Sequence, residues 1–206
     1  MENQELRVQL LLTGDEIMSG DTVDSNSALI ATRLKELSIG VYRKVTVGDD
    51  LALLQAELTA MAMASDVIIV NGGLGPTIDD LTAEVLAQVA GVPLVEHPQA
   101  RAHLQSWCAG RNTSLNAANL KQAMLPQGVE VIPNPFGSAV GFSLSVHDCH
   151  IACTPGVPGE LRAMMDTVLS DLALRFQRPA ALNIIRLQTF GLGESTAQQM
   201  ILDHLS

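Results

Sequence analysis

Three glycines and two adjacent carboxylates stand together in Asn71-Gly-Gly-Leu-Gly-Pro-Thr-Ile-Asp-Asp80, directly after the apolar run Val67 to Val70. A strand that delivers its chain into such glycines and then opens a helix leaves backbone N–H groups facing a crevice, where a phosphate accepts them. The amides of Gly72, Gly73 and Gly75 are the expected donors. Asp79 and Asp80 add paired charge. Two carboxylates a few ångströms apart repel by about 4 kcal/mol in the dielectric of a protein surface, and a hard divalent cation between carboxylate and phosphate oxygens relieves them. The plainer alternative is a strand-to-helix connection in which Thr77, Asp79 or Asp80 caps the following helix.

The elements needed to position this turn are legible on either side of it. Leu6 to Leu12 reads as a buried strand running into Thr13-Gly-Asp-Glu, and Val41 to Val47 as a strand closing in Gly48-Asp-Asp50. Asp24-Ser25-Asn26 starts a helix whose apolar residues Leu29, Ile30, Leu34 and Leu37 run to a stop at Gly40, and Ala52 to Ala64 is a second helix. Strand, helix, strand, helix, strand is the pattern of a parallel sheet with right-handed crossovers, and such sheets bind ligands outside the carboxyl ends of their strands. The turns around Asp15, Asp49 and Asp79 therefore gather on one side of the molecule. Farther on, helices are expected over Leu81 to Val89, Pro98 to Cys108, Leu120 to Met124 and Leu161 to Phe176. Strands are expected over Val129 to Ile132, Gly141 to Val146 and Ile151 to Cys153, the last leading into the turn Thr154 to Glu160. Arg178-Pro179-Ala180 reads as a linker, Leu182 to Phe190 as a strand, and Gly191 to Ser195 as the opening of a helix to Leu205.

Composition narrows the function classes. A net charge of −10 with 12 basic residues in 206 excludes a broad surface for nucleic acid or anionic membrane. Three cysteines make no disulfide framework, and the opening Met-Glu-Asn-Gln-Glu lacks the basic start of a signal peptide, so a cytoplasmic protein is expected. No Gly-Lys-Ser/Thr follows the glycines and no third glycine completes a dinucleotide fingerprint. His147, Cys149, His150 and Cys153 do not form a zinc site, because strand alternation sends His150 to the face opposite the thiols. Arg111 and Lys121 are candidates for substrate phosphates.

Five motifs in order extend this reading. Thr13-Gly-Asp-Glu-Ile with Asp24-Ser-Asn26, Asn71 to Thr82, Asn119-x-Lys-Gln-Ala123, Asn134-Pro-x-Gly-Ser-Ala139 and Thr154-Pro-Gly-Val-Pro-Gly-Glu160 together resemble the CinA family. The resemblance implies a three-layer αβα fold with a mostly parallel sheet, the molybdopterin-binding domain also found in MoaB, MogA and gephyrin. It implies one domain over residues 1–177, and over residues 178–206 a linker with the incomplete start of a small second domain.

It further implies metal-dependent hydrolysis of ADP-ribose to AMP and a sugar phosphate, with Mg, Mn or Co and stimulation by potassium, and no deamidase domain. On this resemblance Asp79 and Asp80 hold the metal, and Asp49 or Asp15 orients or deprotonates the attacking water. Gly72, Gly73, Gly75, Thr77, Ser25, Asn26, Lys121, Asn134, Gly137, Pro155 and Gly156 bind the substrate. The alternatives are pterin binding or adenylylation as in MogA-like proteins, or a non-catalytic nucleotide-binding module. The expected partner is a small nucleotide or pterin, and the expected assembly a homo-oligomer, dimer or trimer. Two departures stand out: Val140 where family members commonly carry proline, and Leu120 where a basic residue is usual.

Overall fold

Every residue of the first strand, Val8–Thr13 (β1), is buried, and alternate residues serve two different cores. Val8, Leu10 and Leu12 join one with Val67 and Ile69, while Leu11 joins the other with Ile68 and Val70. A strand covered on both faces needs helices above and below it. The computed structural model, which describes residues 6–177 and 190–205, shows them. The linker and most of the strand expected around Leu182 lie outside the described residues.

In chain order the helices are α1 (Asp15–Met18), α2 (Asn26–Leu34), α3 (Leu51–Ala62), α4 (Thr82–Ala90), α5 (Pro98–Ala109), α6 (Ala117–Lys121), α7 (Pro158–Arg175) and α8 (Glu194–Leu205). The remaining strands are β2 (Val41–Val47), β3 (Val67–Asn71), β4 (Leu94–Glu96), β5 (Met124–Pro126), β6 (Glu130–Ile132), β7 (Gly141–Val146) and β8 (Cys149–Thr154). The main sheet has the order β2-β1-β3-β8-β7-β6. Its first four strands are parallel; β7 runs against them and pairs antiparallel with both β8 and β6. Leu54, Leu58 and Met61 of α3, Val85 and Leu86 of α4 and Leu104 of α5 cover one face. Ile30 and Leu34 of α2, with Leu161, Met165 and Leu172 of α7, cover the other. This is the expected three-layer architecture.

Local departures have local causes. The first long helix tightens into a 3-10 turn at Lys35–Leu37 and ends at Ser38 in the left-handed region (φ 57), two residues before the expected stop at Gly40. The helix expected over Leu120 to Met124 is instead the end of α6 followed by β5, whose Leu125 sits opposite Val95 of β4 in a separate two-stranded sheet. Pro126 cannot continue a helix, and its missing N–H is tolerated on so short a ribbon. At the far end of β8 from the strand-end turns, His150 is 4% exposed, with its Nε2 2.9 Å from Asp171 Oδ2 of α7. Neither ring nitrogen makes a well-aligned hydrogen bond. Burial lowers the imidazole pKa and Arg175 lowers it further, against the opposing pull of Asp171 and Glu130.

Two outcomes follow. Replacing the fully buried Ile69 by alanine empties the centre of the α2/α7 core and lowers the unfolding free energy by about 2–5 kcal/mol, read from urea denaturation. Because His150 has a depressed pKa in the fold, the unfolded chain binds the extra proton first. Stability is therefore full above the ordinary imidazole value of 6.5 and declines as pH falls below it. His150→Asn flattens that part of the profile.

Candidate functional site

Buried amide side chains tie the carboxyl ends of the strands together. Asn71, the last residue of β3, is 1% exposed; its Nδ2 donates to Thr154 Oγ1 at 3.1 Å and to Pro155 O at 2.7 Å. Thr154 Oγ1 passes the direction on by donating to Val70 O at 3.1 Å. From the opposite side Asn26, at the start of α2, donates through Nδ2 to Asn71 Oδ1 at 2.9 Å and to Gly156 O at 2.7 Å. Asn26 Oδ1 is buried and has no partner among the described residues. Every amide orientation in this chain is set by its donors, so the unpartnered atom is an oxygen.

Beside this network lies a crevice of about 640 Å³ at the strand ends. Its walls come from the β1 turn (Thr13, Gly14, Glu16), the start of α2 (Ser25, Asn26), Asp49 after β2, the glycine turn from Asn71 to Thr77 with Asp79 and Asp80, and Pro155 to Pro158 with Glu160. Ile17, Thr22, Val23, Asp24, Gln122, Ser138 and Ala139 complete the lining. The convergence of strand-end turns expected from periodicity is thus realised. Six carboxyl side chains line the space and no Lys, Arg or His does.

Three of these six carboxylates, Asp24, Asp49 and Asp80, are occupied with backbone N–H groups. Asp80 does not cap the next helix, which starts only at Thr82. One of its oxygens accepts Gly75 N–H at 2.7 Å, and the other accepts Thr77 N–H at 2.8 Å and the Thr77 hydroxyl at 2.6 Å. Thr82 Oγ1 instead fastens α4 to the turn by donating to Gly72 O at 2.7 Å. Asp49 accepts from Thr13 Oγ1 at 2.6 Å and Asp15 N at 3.2 Å, while its own N–H donates to Asp15 Oδ1 at 3.0 Å. Asp50, its neighbour, caps α3 by accepting Leu53 N–H at 2.8 Å. Asp24 accepts the amide and hydroxyl of Ser27 and lies 3.0 Å from Lys44 Nζ. Burial works against its charge, but these bonds outweigh it and hold Asp24 below the ordinary carboxylate range.

The phosphate-donor expectation fails in part. Gly72 N–H is spent on Thr154 O at 3.0 Å and Gly75 N–H on Asp80, so of the three glycine amides only Gly73 N–H has no partner among the described residues. Gly72 itself is required: φ is +112, and a Cβ would stand 2.5 Å from Thr13 O. Asp79 is exposed and Asp80 committed, and among the described residues no group of three or more His, Cys, Asp or Glu could hold a metal ion.

Asp15 is exposed and outside the crevice lining, its carboxylate accepting Asp49 N–H. Lys121 Nζ donates to Thr77 O, bracing the glycine turn from the side of a smaller cavity of about 60 Å³ that Val140, Phe142 and Leu125 also line. Val140, the departure from the family pattern, thus packs behind the turn. Arg111 stacks on the Trp107 ring at 3.8 Å, away from the crevice. Asn134 and Gly137 are not lining residues either. Asn134 Oδ1 accepts from the N–H groups of Phe136 and Gly137, each at 3.1 Å, and its Nδ2 donates to Ala139 O and Glu160 Oε2, each at 2.7 Å. Asn71, Thr154 and Glu160 were missing from the expected site set. Their signal was polar residues ending buried apolar strands and a carboxylate closing the Thr154 motif.

Comparison with known proteins agrees with this geometry. The model of the probable molybdopterin binding domain matches residues 9–175. A CinA-like protein of Colwellia psychrerythraea is 52% identical over 97% of this chain and 46% of its own length. The nicotinamide-nucleotide amidohydrolase PncC of Shewanella oneidensis is 39% identical over 95% of this chain and again 46% of its own length. The chain thus spans about half the length of these relatives. Among solved structures, CinA of Thermoplasma acidophilum superposes with a TM-score of 0.75 at 31% identity, covering 82% of this chain and 98% of that one. MoaB of Thermus thermophilus shares the fold, with a TM-score of 0.55 at 20% identity over 85% of this chain and 99% of that one.

The name of the Shewanella relative corrects two expectations together: an ADP-ribose pyrophosphatase and the absence of deamidase chemistry. A relative 39% identical is named for amide hydrolysis on a nicotinamide nucleotide. The family description fits the pterin-binding part of the alternative and carries nothing of adenylyl transfer.

Substituting Asp80 by Asn leaves one acceptor where three donors converge. The amides of Gly75 and Thr77 then exchange faster with solvent by about tenfold, as expected for a local loss of about 1–2 kcal/mol, while amides in β1 and β3 stay protected.

Proposed function

The chain belongs to the CinA-like members of the probable molybdopterin binding domain family, and from that premise we propose that its crevice binds a small phosphate-bearing N-heterocycle of the molybdopterin class. The observation that carries the reading is the lining itself. A space of about 640 Å³ is within the size of small-molecule sites, and it offers carboxylates and carbonyls to a ring rich in N–H donors. Pterins have such an edge. Their phosphate would lie at the glycine turn against Gly73 N–H, where the field of the acidic side chains is met by a free amide.

Binding fits this lining better than bond-breaking. The crevice lining contains no His, Lys or Cys, and three of its six carboxylates, Asp24, Asp49 and Asp80, are already engaged with backbone N–H groups. All three thiols are free and buried; burial, with the charge of Asp66, pushes Cys149 up to about 12, and burial alone raises Cys153. Unpaired thiols also favour a reducing compartment, the cytoplasm. The amide hydrolysis named for the Shewanella relative belongs to a protein of which the chain spans 46%, and its nucleotide shares the phosphate and the N-heterocycle of the proposed ligand.

The test is thermal unfolding with a pterin phosphate and with nicotinamide mononucleotide in separate titrations. Ligand at about 100 times its Kd adds about 2.7 kcal/mol, so the pterin phosphate raises the midpoint by about 5 °C or more. A shift with nicotinamide mononucleotide alone transfers the site to that ligand, and no shift with either overturns the reading.

A further inference from the structure

The crevice holds two acceptor atoms that the fold has oriented and left unused. One is Asn26 Oδ1, on a side chain 8% exposed, whose amide nitrogen is consumed by Asn71 and Gly156. The other is the second oxygen of Glu160, in the first turn of α7. Its Oε2 is gripped by Asn134 Nδ2 at 2.7 Å, and Oε1 has no partner among the described residues.

The grip on Glu160 is rigid. Asn134 is 1% exposed and is itself held through both ends of its amide by Phe136, Gly137 and Ala139. Gly137 gives the carboxylate room, since a Cβ there would overlap Glu160 Oε2 and Asn134 Nδ2. The Gly137 carbonyl is held in turn by His103 Nε2 of α5 at 2.8 Å. Of the two acceptors Asn26 Oδ1 is the buried one; a buried acceptor without a donor costs about 1–3 kcal/mol, and a site that keeps one favours a ligand that supplies the donor.

We propose that Glu160, braced by Asn134, and Asn26 read the amidine-type N–H edge of the ligand's ring, so that the crevice selects a 2-amino-4-oxo pyrimidine system over its 2-oxo counterpart. This rests on the pterin-class reading above and names the group by which the ring is recognised. A 2-amino group with the adjacent ring N–H presents donors to two acceptors, whereas a 2-oxo ring keeps the ring N–H but sets a carbonyl where the amino group stood and leaves one acceptor opposed by another. The acidic lining adds to the discrimination by disfavouring acceptor-rich edges.

The experiment compares 6-hydroxymethylpterin phosphate with the phosphate of 6-hydroxymethyllumazine, which differs at the 2-position, by fluorescence titration of the full chain. The unaltered protein prefers the pterin by about tenfold or more. Glu160→Gln is the diagnostic variant. Its single amide oxygen is taken by Asn134, so a nitrogen faces the ligand and the preference falls to within about threefold while lumazine affinity is kept. Equal affinities in the unaltered protein overturn the inference and leave the binding reading intact. A pterin preference that survives Glu160→Gln overturns the role of Glu160. Failure of both compounds to bind the unaltered protein overturns the binding reading and this inference with it.

Discussion

The fold at its functional end depends on hydrogen-bonding direction in a row of buried amides. Asn26 donates to Asn71, Asn71 donates to Thr154, and Thr154 donates to the backbone of β3. In a low-dielectric interior such a row is strong when satisfied and costly when broken. It is also polar in sequence: reversing one amide would set donor against donor at the next. The row therefore fixes more than stability. It sets the heights at which α2, β3 and β8 end, and so the depth of the crevice floor, and it delivers one surplus oxygen there.

The acidity of the strand-end turns has an architectural use that spacing alone does not reveal. Asp49, Asp50, Asp80 and Asp24 each accept at least one backbone N–H from a turn or helix start. Charge-assisted bonds of this kind are about twice as strong as neutral ones. They let glycine-rich turns hold a single shape, which glycine by itself does not favour. The by-product is a concentrated negative field over a space with no cation in its lining. Charge that organises the turns thus also sets the sign of the field in the crevice, which favours donor groups over anions.

Strand positions and their common end were legible because β3 is an uninterrupted apolar run and β1 one broken only by Gln9, each ending in a polar residue, and such runs have few other solutions. The division of labour inside the carboxylate pairs was not. Asp49 and Asp50 differ in which way the chain turns beneath them, and that is set by contacts with Thr13 and Leu53, 36 and 3 residues away. Lys121 was expected at a phosphate because cations are scarce, but its role is decided by the reach of Thr77 O, 44 residues distant. β4 and β5 escaped notice because three-residue strands have no periodicity to detect. The ADP-ribose expectation failed for another reason: a shared fold and shared turns specify a pocket, and many chemistries use the same pocket.

The pairing of β3 with β8 has a consequence for how the molecule comes into being. Asn71 and Thr154 touch, yet they stand 83 residues apart in the chain. As the chain emerges from a ribosome, β1, β2 and β3 can associate early, but β3 then presents a bare edge, apolar from Val67 to Val70, until β8 arrives. Closing so long a loop is slow, and an unpaired edge of this kind invites strands from other chains. The antiparallel β7 and its tight turn at His147 and Asp148 shorten that exposure, since β7 and β8 form a local hairpin that docks as one unit. The crevice is thus the last part of the domain to exist, and any fragment ending before residue 149 has one of its walls but not the other.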